Sequence, residues 1–563
     1  MKTRPRISFG LYMVETKLDA TITTPSALQP FSDVGNLKTD NVMIYPYITY
    51  EPDYWLLDGS YRFVHTNHAL VRVGLMSAEM SDSNGLFATP PELHIDFSRL
   101  HNTDGIGLRF SLNTGDYASE IEVSYFQDTW LLFSRLFYPD SVEFSADETI
   151  EGFDRIVIRF IATNRPHRYL RVQGIDFGKL ITFDADSIQS AEVVEELSML
   201  SSEVRINTLS LTLYSEDEQF SILNPAGYYL ALKERQPIAV YTHVNESISF
   251  IGQYFLSTWD NVTENVIRLE CIDLLGIMDT TPCRGGMYQG ETVGTVIEAL
   301  LGGANIPYEL DTQLQDIPLH GWIPAGTLRD ALQQIAFAVG AYVDCSRAWS
   351  VKIYQARLAS DALADSLIRQ NHQGIERKII MNPLVTQTVI TSHNFIATQE
   401  EHELFKGILS PGRHQVIFTE PAHGISAVSA VIVESGANHC VLDVVTVGEV
   451  VVSGKRFIDF PQLHIVDTPG LSTSVKPKVI EVKEAYLVRP AIGDQVAQRV
   501  HQYYQQRYTQ KFKLFAPQIQ LGQVVDFDTL YGRKLRAGIE KMKLNLSGGF
   551  IADIEATGVD HVG

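Results

Sequence analysis

A mainly β fold with α+β parts, divided over several domains, is predicted for this chain on three observations. Apolar and polar residues alternate with period two along much of its length, as in "DRIVIRFIAT" (Asp154 to Thr163), where Ile156, Ile158 and Phe160 face one way and Arg155 and Arg159 the other. Turn residues punctuate these runs at short intervals, while helical periodicity is confined to a few later stretches. With 563 residues the chain exceeds one hydrophobic core, and 45% hydrophobic, 20% charged and 10% aromatic residues make a globular composition.

Residues 1–63 read as an N-terminal extended β arm, ending at "YEPDYWLLDGSYRF", where Asp58-Gly59 signals a hairpin turn. Residues 64–190 continue as "LHIDF", "GIGLRFS", "EIEVSYF", "DRIVIRFIAT" and "RYLRVQGIDFG", five strands with short turns that predict a β-sandwich. From 191 to 356 strands with Ile206, Leu209, Leu211 and Leu213, an Asn224-Pro225 turn, "FIGQYFLSTWD" and "VIRLECIDLLGIMD" predict a small barrel.

Two helices then follow within the same segment. The first, in Glu291 to Leu310, carries Val293, Ile297, Leu300 and Leu301 on one face and stops at Gly302-Gly303. The second begins at Thr327, an N-cap with Asp330 three residues on. Its stripe is Leu328, Leu332, Ile335, Ala336 and Val339, and Gly340 ends it. Both helices give way to strands, which fits an internal duplication as well as two unrelated amphipathic helices.

Residues 357–380 ("SDALADSLIRQN" and flanks) read as a linker helix, and 381–475 as an inserted β-sandwich-like domain without helix signals. Residues 476–563 read as an α+β unit. Pro490 opens its helix, Ile492, Val496, Val500, Tyr503 and Tyr504 share a face, and a barrel-like set of hairpins ends it.

Asp and Glu number 67 against 45 Lys and Arg, a formal charge of −22. That sign opposes binding of phosphates by counterion release, although an acidic lining suits a passage through which nucleic acid slides. Cys271, Cys283, Cys345 and Cys440 are widely separated and are expected to be buried thiols. No apolar run reaches the roughly 18 residues of a membrane span, and the N-terminus lacks a signal-peptide core, so a soluble chain without export signal is expected.

None of the common hydrolase, metalloprotease, phosphate-loop or dinucleotide motifs is present in its required context. His65 with His68, and His101 with Asp104, are the nearest approaches to a metal site and lack a second pair at ligand spacing. The carboxylates Glu195-Glu196, Glu400-Glu401 and Asp526/Asp528 could flank a sugar bond only if folded about 5–10 Å apart. No catalytic, cofactor-binding or metal-binding residue, and no cofactor, is expected; the chain reads as a non-enzyme built for contacts.

The sandwich segment resembles discoidin-type carbohydrate-binding domains through the order of "LHIDF", "GIGLRF", "VSYFQD" and "FDRIVIRFIATNRPHRYLRVQGIDFG". Loops at one end of such domains bind glycans or lipid head groups. The resemblance makes Tyr125, Trp130 and Arg165 candidate glycan or partner contacts, against a core or rim role for each.

A wider resemblance rests on the order "FSILNPAGYYLALKERQPIAVY", "GQYFLSTWD", "RLECIDLLGIMD", "GGMY", "GWIPAGTLRDALQQIAFAVGAYVDCSR", "SVKIY" and, much later, "GQVVDFDTLYGRKLRAGIEKMKLNLSGGFIADIEATG". In that order the chain resembles tail proteins of phages of Gram-positive, especially clostridial, hosts and of phage-tail-like bacteriocins (tailocins). More distantly it is similar to the baseplate-hub family of contractile and long-tailed phages. The resemblance implies a homotrimer of barrel-like hub domains around a channel, joining tail tube to central spike or fibre, with DNA as a transient passenger only.

On that basis 191–356 and 476–563 form the ring, the sandwich and insert lie outside it, and other baseplate proteins are neighbours. The expected location is the virion tail or a tail-like particle. Spike and wall-degrading activities are expected in other chains. The alternative is a carbohydrate-active tail protein that binds or hydrolyses cell-wall polysaccharide, which requires two acidic side chains converging in a groove.

Overall fold

The computed structural model describes residues 3–12, 14–30, 32–38, 51–52, 74–111, 114–183, 185–216, 218, 220–221, 223–224, 232–244, 247–304, 306–360, 364–368, 377–471, 476–515, 519–528, 534–547 and 551–561. The Asp58-Gly59 turn, His65, His68 and Pro225 lie outside them. The chain divides into two compact units, Ile7–Phe183 with Ile222–Ile238, and Met1–Arg6 with Asp184–Ser221 and Ala239–Gly563.

The first unit places two antiparallel sheets over one core. One sheet runs in the order Thr21–Thr23, Glu92–Thr103, Ile150–Thr163, Ala118–Gln127, Trp130–Phe137. The other is built on Tyr169–Phe183, which pairs with residues 7–12, with Leu75–Met80 and with Ile106–Phe110; the last continues to Glu143–Ala146. Ile156, Ile158 and Phe160 are buried with Leu93, Ile95 and Val123 of their own sheet and Leu108, Val172 and Phe177 of the facing one. Arg155 and Arg159 stand on the outer face and pair with Asp96 (2.6 Å) and with Glu92 and Glu122 (3.1 and 2.9 Å).

The N-terminal stretch differs from an extended arm. Val14–Asp19 is helical, and Ala20, Ile22 and Leu37 are buried in the sandwich core, where those short apolar runs find an apolar surface to cover.

The second unit is organised by one long sheet. Its order is Arg377–Met381, Tyr508–Phe515, Ile551–His561, Lys534–Asn545, Ile188–Glu196, Thr208–Tyr214, Val266–Ile272, Ser247–Thr263, Pro237–Val244. Two modules of four strands are embedded in it. Thr208–Tyr214, Pro237–Val244, Ser247–Thr263 and Val266–Ile272 pair in the order first, fourth, third, second. Tyr508–Phe515, Val524–Asp528, Lys534–Asn545 and Ile551–His561 pair in the same order.

No sheet among the described residues closes into a barrel, which corrects the barrels expected for 191–356 and for the C-terminal hairpins. The physical reason is the seam. Ile188–Glu196 takes one edge of the C-terminal module at Lys541–Asn545, so strands that alternation alone would close on themselves pair with the other module instead.

Helices cover part of this unit. Leu328–Val339 starts at a capping box in which Thr327 Oγ1 accepts from the Asp330 amide (3.1 Å) and the Asp330 carboxylate accepts from the Thr327 amide (3.2 Å). It ends at Gly340, whose φ of 72° is the left-handed turn that favours glycine. Leu328, Leu332, Ile335 and Ala336 are buried, and the chain continues into Ala341–Asp344, antiparallel to Val351–Gln355.

The first predicted helix runs from Val293 to Gly302 and changes its pitch midway. Val293–Ile297 is α-helical, Glu298–Gly302 is a π turn, and Tyr308–Leu310 runs parallel to Val351–Gln355. Pro490–Tyr504 forms the later helix, with Val496 and Val500 buried.

None of the described residues in 357–380 is helical, and Ser366–Ile368 and the start of Arg377–Met381 are strand, where a linker helix was expected. Ser366–Ile368 lies parallel to Val524–Asp528 and Arg377–Met381 antiparallel to Tyr508–Phe515. Pairing with an available sheet edge overrides the local helical propensity.

The insert consists of two three-stranded antiparallel sheets, Phe395–Leu409, Gly448–Asp459, Ala422–Val428 and Gly412–Ile417, His439–Val444, Val431–Ser435. They enclose Val416, Phe418, Cys440, Leu442, Val450 and Val452. At its root His393 meets the Asp459 carboxylate through Nδ1 (2.6 Å) and donates from Nε2 to the Lys483 carbonyl (2.7 Å). There the Phe460 amide also donates to the Asn394 carbonyl (3.0 Å). A second fastening is buried Asn438, whose Nδ2 donates to the Arg284 and Ile323 carbonyls (2.8 and 2.7 Å) while its Oδ1 accepts from Trp322 Nε1 (2.6 Å).

Thr327→Ala removes the cap acceptor and is expected to lower the stability of this unit by about 1 kcal/mol, read as a lower urea midpoint at unchanged slope.

Candidate functional site

The three residues singled out from the sequence do not converge. Tyr125 is buried between the sheets, 5.1 Å from Phe153 and 6.2 Å from Phe133 by ring centroids. Burial pushes its phenol well above the ordinary tyrosine range, and its hydroxyl has no hydrogen-bond partner among the described residues. It is a core residue, which corrects its candidacy as a contact. Period-two alternation already put it in phase with the buried Ile121 and Val123.

Trp130 and Arg165 lie beyond opposite ends of Ala118–Gln127, a strand of about 30 Å. Trp130 is 78% exposed at the start of Trp130–Phe137, the edge strand of its sheet, and Leu131, Leu132, Leu136 and Tyr138 are exposed beside it. Arg165 is held at the other end by Asp116 (2.6 Å) and by the Thr114 carbonyl (2.8 Å). Trp130 thus belongs to an apolar edge and Arg165 to a polar end.

Arg165 adjoins a buried ionic clasp. Arg171 grips Glu51 through both guanidinium ends, the Tyr169 amide donates to the same carboxylate (2.8 Å), and Arg168 donates to the Pro52 carbonyl (2.9 Å). Glu51, Arg168 and Arg171 are all buried, so this clasp is packing chemistry.

Of the acidic pairs read from the sequence, Glu195–Glu196 separates, while Asp526 and Asp528 share a face of Val524–Asp528. Glu195 and Glu196 are neighbours on a strand and project to opposite faces. Glu195 is buried, with Oε1 3.3 Å from Arg347 Nε, while Glu196 pairs with Lys541 on the solvent side. Glu400 and Glu401 are both exposed at a register shift in Phe395–Leu409, and Glu401 accepts from the Ser426 hydroxyl (3.4 Å). Asp526 is engaged by Arg536 at 2.7 and 3.1 Å. His101 is buried against Asp19 (2.8 Å) and Thr16 (3.2 Å), and Asp104 accepts from Thr149 (3.1 Å). No group of three His, Cys, Asp or Glu side chains among the described residues is arranged to hold a metal ion.

What the sequence did not single out is a set of buried carboxylates in the second unit. Asp273 caps the helix Leu274–Asp279 by accepting from the Gly276 amide (3.1 Å) and also accepts from the Asn207 amide (3.1 Å); burial pushes it up to about 7. Asp344 accepts from the Ser346 amide and hydroxyl (2.8 and 2.6 Å) and is raised by burial, as is Glu195. Glu540, which accepts from the Tyr503 hydroxyl (2.9 Å), is also pushed up to about 7 by burial. Aspartate before an apolar helical run was a legible cap signal for Asp273; Glu540 sits at a register shift in its strand, which alternation cannot reveal.

No protein-family model matches the chain, and no curated protein sequence does. Among solved structures it is similar to the tail protein from Neisseria meningitidis MC58, at 11% identity over 66% of this chain and 92% of that one, with a TM-score of 0.42. It is similar to the 43 kDa tail protein of prophage MuSo2 from Shewanella oneidensis, at 9% identity over 67% and 93%, TM-score 0.39. Prophage tail protein gp18 from Listeria monocytogenes EGD-e is similar at 9% identity over 68% and 92%, TM-score 0.39. Likenesses this distant carry no functional argument.

Two outcomes are expected. Tyr125→Phe deletes a buried hydroxyl without a partner and is expected to raise the sandwich's stability by about 1 kcal/mol, seen as a higher unfolding midpoint. Glu540 has a folded pKa above the ordinary carboxylate value, so its contribution to stability is fully present below that value and is lost as pH rises through about 7. Between pH 5 and 8 the chain should lose on the order of 1–3 kcal/mol more than Glu540→Gln, measured by urea unfolding across the range.

Proposed function

We propose that this chain is a non-enzymatic structural hub of a phage tail or phage-tail-like particle, a homotrimer that joins the tail tube to a central spike or fibre around a channel. The observation that carries the proposal is the repeated strand order in the second unit. One chain supplies two modules with the same first, fourth, third, second pairing, so three chains supply six. A threefold ring then offers a sixfold tube six similar edges. The ordered segments that resemble tail hubs, around "GWIPAGTLRDALQQIAFAVGAYVDCSR" and "GQVVDFDTLYGRKLRAGIEKMKLNLSGGFIADIEATG", belong to this same unit.

In this reading the charged face of the long sheet lines the channel. Lys511 with Glu555, Lys541 with Glu196 and Lys543 with Glu192 pair across neighbouring strands. Opposite charges that satisfy one another leave few cations to hold a passing DNA backbone. The discoidin-like sandwich and the insert lie outside the ring, and the Trp130 edge of the sandwich meets either a host glycan or a neighbouring baseplate protein. The carbohydrate-active alternative is not favoured, because Glu195, Glu196 and Asp526 are committed to Arg347, Lys541 and Arg536.

The test is light scattering of the full chain over a concentration series, alone and with tail-tube and spike proteins added. A particle of three times 63.0 kDa is expected. A chain that stays monomeric with both partners present would falsify the hub reading.

A further inference from the structure

The insert carries two exposed apolar patches at its opposite ends. The distal patch is built on three turns, 409–412, 428–431 and 444–448, around which Ile408, Val428, Val431, Val445 and Val447 point into solvent. Ile408 and Val445 are 78% and 77% exposed. None of these turns contains a charged residue. The nearest charges are matched across the strands, Lys406 with Glu449 at 3.4 Å and Arg413 opposite Asp443 in register. A tip that is aliphatic, without excess cations and without Trp or Tyr lacks the features of a lipid-surface anchor and suits an uncharged apolar protein surface.

The proximal patch lies at the root. Ile396 and Ile458 form a cross-strand pair, and Phe460, Leu463 and Ile465 follow along the chain, each about half exposed. Ile396 stands opposite Ile458 and Ile408 opposite Glu449, nine residues along the partner strand, or about 30 Å at roughly 3.3 Å per residue. The root is fastened at His393 and Asp459, and Asn438 secures the end of the second sheet away from the turns. The tip therefore has no route back to its own root.

Two different apolar patches on one chain, too far apart to cover each other, make a head-to-tail contact between copies, of the kind that closes into a ring when the rotation allows. We infer that the insert's distal tip seats on the proximal patch of a second copy of this chain, each copy clasping the next around the ring. The inference rests on the trimer reading above and adds the surface by which neighbours engage. Five side chains on each side fall short of the roughly 1,200–2,000 Å² of a stable interface, so the clasp supplements other ring contacts.

The test uses full-length chains. All four native cysteines are buried, so introduced surface cysteines can be oxidised selectively. Val445→Cys and Leu463→Cys chains, differently tagged, are co-expressed and oxidised, and assembly is followed in parallel by light scattering. The mixed disulfide is expected to exceed either homodisulfide about tenfold, since the contact joins unlike patches. Trimers without the mixed disulfide, or with Val445 pairing to Val445 equally well, overturn the clasp and leave the hub reading standing. Failure to assemble at any concentration, with no cross-link, removes both. A Val445→Asp/Val447→Asp chain should keep the wild-type melting curve and weaken self-association at least about tenfold; unchanged association refutes the clasp.

Discussion

The second unit depends on one strand pairing. Glu192–Glu196 lies against Lys541–Asn545, and the ion pair between Lys541 and Glu196 joins residues 345 positions apart. Nothing local brings these segments together, so the cost of closing so long a loop is met by what the pairing buries. On the inner side that is Glu195 with Arg347, beside the buried layer of Leu328–Val339. On the outer side the lysines and glutamates remain in water. If the seam were absent, each four-stranded module would present an open edge, and an open edge is a template for pairing with other chains.

The seam also explains the electrostatic character of the unit. Adjacent residues on its central strand alternate between an interior, where burial raises the Glu195 carboxyl above its ordinary value, and a face where Glu192 and Glu196 are matched by lysines. Formal charge is thus a poor guide to any one surface of this molecule. The chain carries −22, yet the face crossing the seam is laid out in opposite-sign pairs.

Strands and caps were legible where their cause is local. The alternation of Ile156, Ile158 and Phe160 against Arg155 and Arg159, the Thr327–Asp330 box, the Gly340 turn and the Pro490 start all follow from neighbours a few residues away. Closure was not legible. Whether Lys534–Asn545 turns back on its own module or meets Ile188–Glu196 is decided by an edge hundreds of residues away, and Ser366–Ile368 was taken from helix to strand by the same kind of edge. Among the candidate contacts, the core role weighed for Tyr125 is the one its phase with Ile121 and Val123 supports. Trp130 is exposed, and its place at the end of an apolar edge depends on strand order, which no single segment encodes.

The Asn394–Phe460 hydrogen bond means that the insert leaves and rejoins the sheet through adjacent residues. The flanking strands Gln387–Ser392 and Gln462–Asp467 are already paired across that gap, from Ser392 opposite Gln462 to Gln387 opposite Asp467. Everything between them is carried by this closed stem and the Asn438 fastening, with its own core in Val416, Cys440, Leu442 and Val452. The segment has the architecture of an exchangeable cassette. Exchange at the stem would leave the seam intact, and a replacement would have to supply a donor in place of Asn438 for the Arg284 and Ile323 carbonyls.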